Sequence, residues 1–521
     1  MPGQSVFQIA FSGSRRAQVH EQRGPQRKLR IEERMTNLLA HQQWHGKIFD
    51  GQWIDGGGDT VESLEPATGE VLGVIGTATA ADIDRAAHIA SAAQPAWAAT
   101  IGQARASVIR KAAQILEAER AEVERWLIRE GGSVPGKAAF EVDLVIFELW
   151  EASALPTQPF GHLLPASQEG RTSIARRVPL GVVGVISPWN FPLLLAMRAV
   201  APALALGNAV VLKPDVQTAI SGGAVIAELF TSAGLPEGLL HVLAGDAEPG
   251  QALCESPSIA MVSFTGSTAV GRQVGATAGR TLKRVSLELG GNNALIVLDD
   301  ADLDAASSAG AWGSFLHQGQ VCMTAGRHIV LESVADQYLD LLAKRAAVLP
   351  VGDPNTGDVA LGPLINARQI ANVDRIVQGT KAAGAEIRAG GTYEGLFYQP
   401  TVLAGVTSDM PAFREEIFGP VAPVVIVKDE DEAVRSANDS EYGLVAAIQT
   451  GSVERGERIA DRLRTGIVHI NDQTLNNDAY APFGGTGASG NGARFGTQSS
   501  WDEFTTWQWR TSRPAAQTFP F

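Results

Sequence analysis

An α/β fold with two separately wound sheets is what this sequence predicts, on three observations. Between Arg176 and Leu289, short β-branched runs alternate with alanine-rich helical patterns, the rhythm of parallel βαβ units. A second alternation begins near Asn293 and runs to about Ile470. The chain of 521 residues can bury more than one core, so two or three domains are expected.

The elements follow in chain order. Residues 1–34 carry Arg15, Arg16, Arg23, Arg27, Lys28, Arg30 and Arg34 among few apolar residues, with no hydrophobic segment for secretion. A disordered extension is expected there, the product of an early start codon; Glu21, Glu32 and Glu33 count against a targeting presequence. Residues 82–125 read as long amphipathic helices with Ala86, Ile89, Ala90 and Ala93 on the covered face. Strands are expected at Val182–Ile186, Ala209–Leu212, Leu239–Leu243 and Ile259–Phe264, and helices at Leu194–Leu206 and Thr218–Ala233, with a further helix opened by Ser267. This order makes a doubly wound, Rossmann-like sheet. The second sheet starts at Asn293–Leu298 and sets Cys322 on a loop at the border between the two, where ligand clefts form. Trp507–Thr511 alternates as an exposed edge strand would, and its two tryptophans need a cover, expected to be another subunit.

Composition excludes several function classes. A net charge of −14 argues against nucleic acid as a partner. No uninterrupted apolar run reaches the roughly 18 residues of a membrane span; Ala199–Leu206 is Ala-rich, holds Pro202, and reads as a buried helix. The two cysteines, far apart, offer neither a disulfide framework nor zinc spacing, which fits the reducing cytoplasm, and no metal is expected.

Cys254 lies on an amphipathic stretch and reads as a small buried hydrophobe. Cys322 differs, because Gly319 three positions earlier suggests a tight turn that presents the sulfur. Upstream stands Leu287-Glu288-Leu289-Gly290-Gly291. A thiolate that attacks a carbonyl and a carboxylate that later activates water are what thioester chemistry requires. Glu288 ends an apolar strand and should have a raised pKa; a solvated loop glutamate is the alternative, disfavoured by Leu287 and Leu289. Gly266-Ser267-Thr268 follows a strand and opens a helix, so it can hold a pyrophosphate on free N–H groups or serve as a simple N-cap.

Six stretches in order resemble the NAD(P)-dependent aldehyde dehydrogenase superfamily: Ser187–Pro192, Phe264–Gly271, Leu287–Gly291, Gly319–Cys322, Glu416–Pro420 and Pro482–Gly485. Glu288 and Cys322 also stand 34 positions apart, the family's usual separation, and the resemblance covers roughly residues 36–521. Met197–Pro202, Trp312-Gly313 leading into Leu316–Met323, Val468–Gln473 and Gly484–Gly490 are similar to benzaldehyde dehydrogenases of bacterial aromatic degradation. The resemblance implies a nucleotide-binding domain at 35–152 and 174–289, a catalytic domain at 290–490, and a small β oligomerisation element at 153–173 and 491–521 that makes a homodimer or homotetramer. It implies Cys322 as nucleophile, the Asn190 amide and the Cys322 N–H as donors to the alkoxide, and Glu288 as base for deacylation. Relatives that pass the acyl group to coenzyme A commonly lack that base, so hydrolysis to the free acid is expected.

By the same resemblance Ser187, Trp189, Lys213, Gly266, Ser267, Glu416 and Phe418 bind the nucleotide, with Lys213 at the adenine ribose and Glu416 at the nicotinamide ribose. Phe191, Leu195, Arg198, Leu316, Val321, Met323 and Tyr480 would shape a largely apolar pocket suited to a ring-bearing aldehyde, although each also suits core packing. Arg198 would face a substrate carboxylate or a neighbouring acid. The chain departs from the family at three points. Val216 replaces a glutamate that binds ribose hydroxyls in many relatives, with Asp215 adjacent as a substitute, which removes both a contact and a barrier to a 2′-phosphate; NAD is expected because the similar benzaldehyde dehydrogenases use it, and NADP is permitted. Ala199 and Arg494 replace a lysine and a glutamate thought to carry protons away from the base, so Glu288 would release its proton through water or backbone. The expected reaction is oxidation of a benzaldehyde-like aldehyde to its acid with NAD. The alternatives are a substituted benzaldehyde such as vanillin, a medium-chain aliphatic aldehyde, or a non-catalytic binding relative.

Overall fold

The computed structural model describes residues 38, 39 and 42–521; the extension expected at 1–34 lies outside them. Valine-rich runs build the first sheet because strands covered on both faces must be apolar throughout. Val182–Ile186 and Ala209–Lys213 lie side by side at its centre and are almost wholly buried. Met261–Thr265 and then Arg284–Glu288 flank them on one side and Leu240–Val242 on the other, all parallel. Ile48–Asp50 and Trp53–Ile54 extend the far edge antiparallel.

Helix Ala80–Ala99 packs on this sheet and starts in a capping box between Thr79 and Asp82. Its buried stripe is Ile83, Ala86, Ala87, Ala90 and Trp97. Ile89, expected on that stripe, is 39 % exposed, since the stripe is centred roughly a quarter-turn away. The helix expected at Thr218–Ala233 begins as a π-helical turn, Ile220–Ala224, before the α-helix Val225–Ala233. The buried Glu130 carboxylate accepts from the N–H groups of Ile220 (2.9 Å) and Ser221 (2.7 Å) at the start of this turn.

The second sheet runs Glu386–Ala389, Thr401–Ala404, Val421–Val427, Arg327–Leu331, Ala294–Val297, Val445–Gln449, Ile467–Ile470, with only the first strand antiparallel. A third sheet of three antiparallel strands joins Gly161–Leu164, Thr172–Pro179 and Thr505–Ser512. The hairpin strand thus continues to Pro179, beyond the expected limit at 173, because eight residue pairs hold it against Thr505–Ser512. Trp507 and Trp509 stand exposed on that outer strand.

The edge of the first sheet that ends in Glu288 is closed by the chain returning at 489–491. Leu289 N–H donates to the Ser489 carbonyl at 2.9 Å, and the Asn491 side chain bonds Leu287 N–H and Val285 C=O at 3.0 and 2.8 Å. Among the described residues, no helix is long and apolar enough to cross a membrane, and no group of three His, Cys, Asp or Glu is placed to hold a metal ion.

Candidate active site

Strand Val182–Ile186 runs directly into Ser187–Asn190, and Pro192 opens helix Pro192–Ala205, where a missing N–H costs nothing. Asn190 is buried at this junction. Its Nδ2 donates to the Gln320 carbonyl at 2.8 Å, and its own carbonyl accepts from Lys137 Nζ at 2.9 Å. Lys137 is paired at 2.5 Å with Glu141, one turn along helix Pro135–Ala154, with both side chains fully buried. Its ammonium sits 4.0 Å from the Phe191 ring centroid. The other Glu141 oxygen accepts from Leu193 and Leu194 N–H at 3.0 and 3.1 Å, a carboxylate at the helix N-terminus. Asn190 is therefore held from its side chain and its backbone together.

The loop before Cys322 passes through three left-handed residues, His317 (φ 50°), Gln318 (φ 58°) and Gly319 (φ 68°). Only glycine fits at 319, where a Cβ would overlap the Gly419 carbonyl. The strain is held by bonds from Gln318 to the Gly132 and Pro363 carbonyls (3.0 and 2.8 Å) and from Asn293 to the Cys322 carbonyl (2.9 Å). Cys322 is half-buried and lines a cleft. Burial and then Glu416 push its thiol up to about 12, with Glu288 adding and Arg198 opposing.

Glu288 ends its strand almost fully buried, and among the described residues its Oε1 has no hydrogen-bond partner. A Cβ on Gly484 would stand 2.8 Å from that oxygen, so the glycine provides its space. Burial holds the carboxyl well above its ordinary value, against the pull of Arg198 and Arg494. Arg494 itself donates to the Gly485 and Ala493 carbonyls at 3.0 and 2.8 Å. Glu416 accepts from Gly291 N–H at 2.9 Å, and burial raises it to about 7. Phe418, with φ of 55°, turns its ring edge-on to Trp189 at 5.4 Å.

One cleft of about 680 Å³ connects these groups. Asn190, Cys322, Glu416, Lys213, Asp215 and Ser267 line it, with Ser187, Trp189, Gly266 and Phe418 also on its walls. Among the described residues, the buried Ser187 hydroxyl has no hydrogen-bond partner and Lys213 makes only a long 3.4 Å contact to the Pro214 carbonyl. Ser267 caps helix Thr268–Arg280, whose N-terminus opens on the cleft. These donors suit the ribose hydroxyls and pyrophosphate of a dinucleotide.

The structure divides the seven residues expected in the substrate pocket. Leu195 lines the cleft. Phe191, Arg198, Val321 and Met323 are buried and Leu316 is half-buried. Tyr480 departs from the expectation, lying 62 % exposed on a surface loop. Arg198 meets a neighbouring acid, its Nε 3.5 Å from Glu148. Cys254 is buried on helix Ala247–Glu255. Sequence reasoning missed Lys137, Glu141, Glu148 and Gln320. The i,i+4 spacing of Lys137 and Glu141 was the available signal, and it ordinarily marks an exposed pair.

Comparison with known proteins gives a consistent result. The family model described as the aldehyde dehydrogenase family matches residues 53–510. A vanillin dehydrogenase of Amycolatopsis sp. is 53 % identical over 486 residues, 93 % of this chain and 100 % of that one. The NAD(+) benzaldehyde dehydrogenase of Pseudomonas putida is 50 % identical over 92 % of this chain and 98 % of its own. The crystal structure of a Staphylococcus aureus betaine aldehyde dehydrogenase in complex with NAD+ superposes with a TM-score of 0.89 at 29 % identity, covering 92 % of this chain and 97 % of that one.

Proposed function

The chain belongs to the aldehyde dehydrogenase family, and from that premise we propose that it oxidises an aromatic aldehyde, benzaldehyde or a ring-substituted benzaldehyde, to the carboxylic acid with NAD. The observation that carries this reading is the single cleft joining Asn190 and Cys322 to Lys213 and Ser267, with Glu288 buried beside it.

Cys322 is the nucleophile in this reading. Its thiol is neutral at rest, because burial and two carboxylates disfavour the anion. Proton loss to a neighbouring base must therefore accompany attack on the aldehyde carbon. The oxygen of the thiohemiacetal becomes negative, and the Asn190 amide with the Cys322 N–H supplies preorganised donors. Asn190 keeps its aim because Lys137 and Gln320 fix it from two sides. NAD, when bound, accepts the hydride that leaves this carbon. The resulting thioester on Cys322 is hydrolysed by water that Glu288 deprotonates. Its raised pKa makes Glu288 a strong enough base for that task. Lys213, Ser187 and Ser267 would hold the adenosine and pyrophosphate, and Glu416 the nicotinamide ribose. Trp507 and Trp509 on their exposed strand support a homodimer or homotetramer.

The test is absorbance of reduced nicotinamide with benzaldehyde, vanillin and hexanal, using NAD and NADP. The expected result is faster turnover of the aromatic aldehydes with NAD, abolished by Cys322→Ala. Preference for hexanal would discard the aromatic assignment, and no turnover of any aldehyde would discard the enzymatic one.

A further inference from the structure

Strand Ala209–Lys213 of the first sheet runs through Pro214 into a short 3₁₀ turn, Val216–Thr218, which Asp215 caps. Asp215 Oδ1 accepts from Gln217 N–H at 2.9 Å and from Gln217 Nε2 at 3.2 Å. Gln217 Oε1 in turn accepts from Asn366 Nδ2 at 2.6 Å, and Asn366 Oδ1 accepts from Gln369 N–H at 3.0 Å. Asn366 is the N-cap of helix Ala367–Ala382, whose buried residues Ile370, Val373 and Val377 belong to the core of the second sheet. A strap of hydrogen bonds therefore links the turn after Lys213 to an element of the second sheet's domain.

Arg368 stands two positions after Asn366 and lines the same cleft as Lys213 and Asp215. It is exposed, and among the described residues it has no carboxylate partner. Lys213 and Arg368 are the two cations of the cleft lining among the described residues, and Asp215, Asp246 and Glu416 are its carboxylates. A dinucleotide site excludes a 2′-phosphate by aiming a carboxylate at the ribose hydroxyls, and admits one by placing an arginine nearby. Position 216 holds valine, and Asp215 commits Oδ1 to its own turn. The planar guanidinium of Arg368 offers paired donors to phosphate oxygens.

We propose that Arg368 and Lys213 form a seat for a 2′-phosphate, so that the chain accepts NADP beside NAD, and that the Asp215–Gln217–Asn366 strap holds Arg368 to that corner of the cleft. The inference rests on the reading of this cleft as the dinucleotide site. The two cations come from different domains, so the seat is complete only while the strap joins them. Asp215 and Asp246 remain in the lining and temper its charge, which keeps NAD the tighter ligand.

The experiment is equilibrium binding of NADH and NADPH to the full-length protein without aldehyde, followed by nicotinamide fluorescence, with 2′,5′-ADP and 5′-AMP as competitors. Wild type is expected to bind NADPH within about tenfold of NADH. Arg368→Ala should weaken NADPH and 2′,5′-ADP about tenfold and leave NADH and 5′-AMP within about twofold. Arg368→Lys should recover part of the loss as a point charge. Asn366→Ser keeps a cap for Gln369 N–H but is too short to reach Gln217, so it should weaken NADPH alone, by about threefold. An Arg368→Ala variant that binds NADPH like the wild type overturns the proposal. Equal losses for NADH and NADPH overturn it too, since Arg368 would then serve the pyrophosphate. Unchanged NADPH binding in Asn366→Ser overturns the role of the strap. A wild type that binds NADH but not NADPH refutes the seat and leaves the dinucleotide reading standing, whereas one that binds neither refutes that reading itself.

Discussion

Replacing Lys137 with methionine tests how the Asn190 junction is held. Both side chains of the Lys137–Glu141 pair are fully buried, so the substitution strands a carboxylate. Breaking a buried pair from one side costs roughly 3–5 kcal/mol. The Leu193 and Leu194 N–H groups remain on Glu141 at the helix N-terminus, which offsets roughly 1–2 kcal/mol. Loss of the desolvated ammonium over Phe191, at 4.0 Å, adds back about 2 kcal/mol. The expected net destabilisation is about 3–6 kcal/mol, read from the midpoint of urea unfolding by tryptophan fluorescence. Lys137→Met with Glu141→Leu should cost less than the sum of the two single changes, because no charge is left behind. Catalysis should suffer too. Asn190 loses the 2.9 Å bond on its carbonyl, and a displaced alkoxide donor should lower kcat about tenfold while the KM for NAD stays near wild type. A single variant within about 0.5 kcal/mol of wild type, or a double variant that is strictly additive, would refute the argument.

Glu288→Gln should still release one equivalent of reduced nicotinamide and then stall, with turnover down about 10²- to 10⁴-fold and an acylated Cys322 visible by intact mass. In the wild type, the hydrolytic step should quicken as pH rises through the elevated Glu288 pKa, since only the ionised form is a base. Glu416 binds its proton more tightly in the folded state, from an ordinary 4.5 up to about 7, so its stabilising contribution is complete below 4.5 and is lost as pH rises through about 7; Glu416→Gln should flatten that decline in unfolding midpoint. Gly319→Ala should lose about 2–4 kcal/mol, from a left-handed φ of 68° together with overlap on the Gly419 carbonyl, measured by the same urea titration. Asp215→Ser keeps a cap for Gln217 N–H and removes a cleft carboxylate beside Lys213, so initial rates should show a lower KM for NADP and a higher one for NAD.

The central strands were legible because parallel strands covered on both faces leave long β-branched runs, as at Val182–Ile186 and Ala209–Lys213. Cys322 and Glu288 were visible as candidates from Gly319 before the sulfur and from the carboxylate ahead of Gly290-Gly291, whereas Asn190 stood out only through the family resemblance of Ser187–Pro192. What escaped was held by distance along the chain. Glu130 binds the start of Ile220–Ala224 from 90 residues away, and Glu148 meets Arg198 from a different helix. Helical periodicity assigned Ile89 to the wrong side because alanine-rich helices have broad, weakly apolar faces. Lys137 and Glu141 illustrate the commonest failure: charge and spacing alone do not distinguish a solvated pair from one sealed under a catalytic loop.

The closure of the Glu288 strand by residues 489–491 carries a consequence for biosynthesis. Chains grow from the N-terminus at about 5–20 residues per second, and domains generally fold as units while they emerge. Asn190, Glu288 and Cys322 leave the ribosome well before Ser489, Gly490 and Asn491. Until those residues dock, Leu287 and Leu289 lack their hydrogen-bond partners, and Gly484 and Arg494 are absent from around Glu288. A nascent chain therefore holds Cys322 clear of the ribosome while the strand that ends in Glu288 still lacks its closing partners. The order of synthesis delays closure of the Glu288 strand until the last stretch of polypeptide is in place.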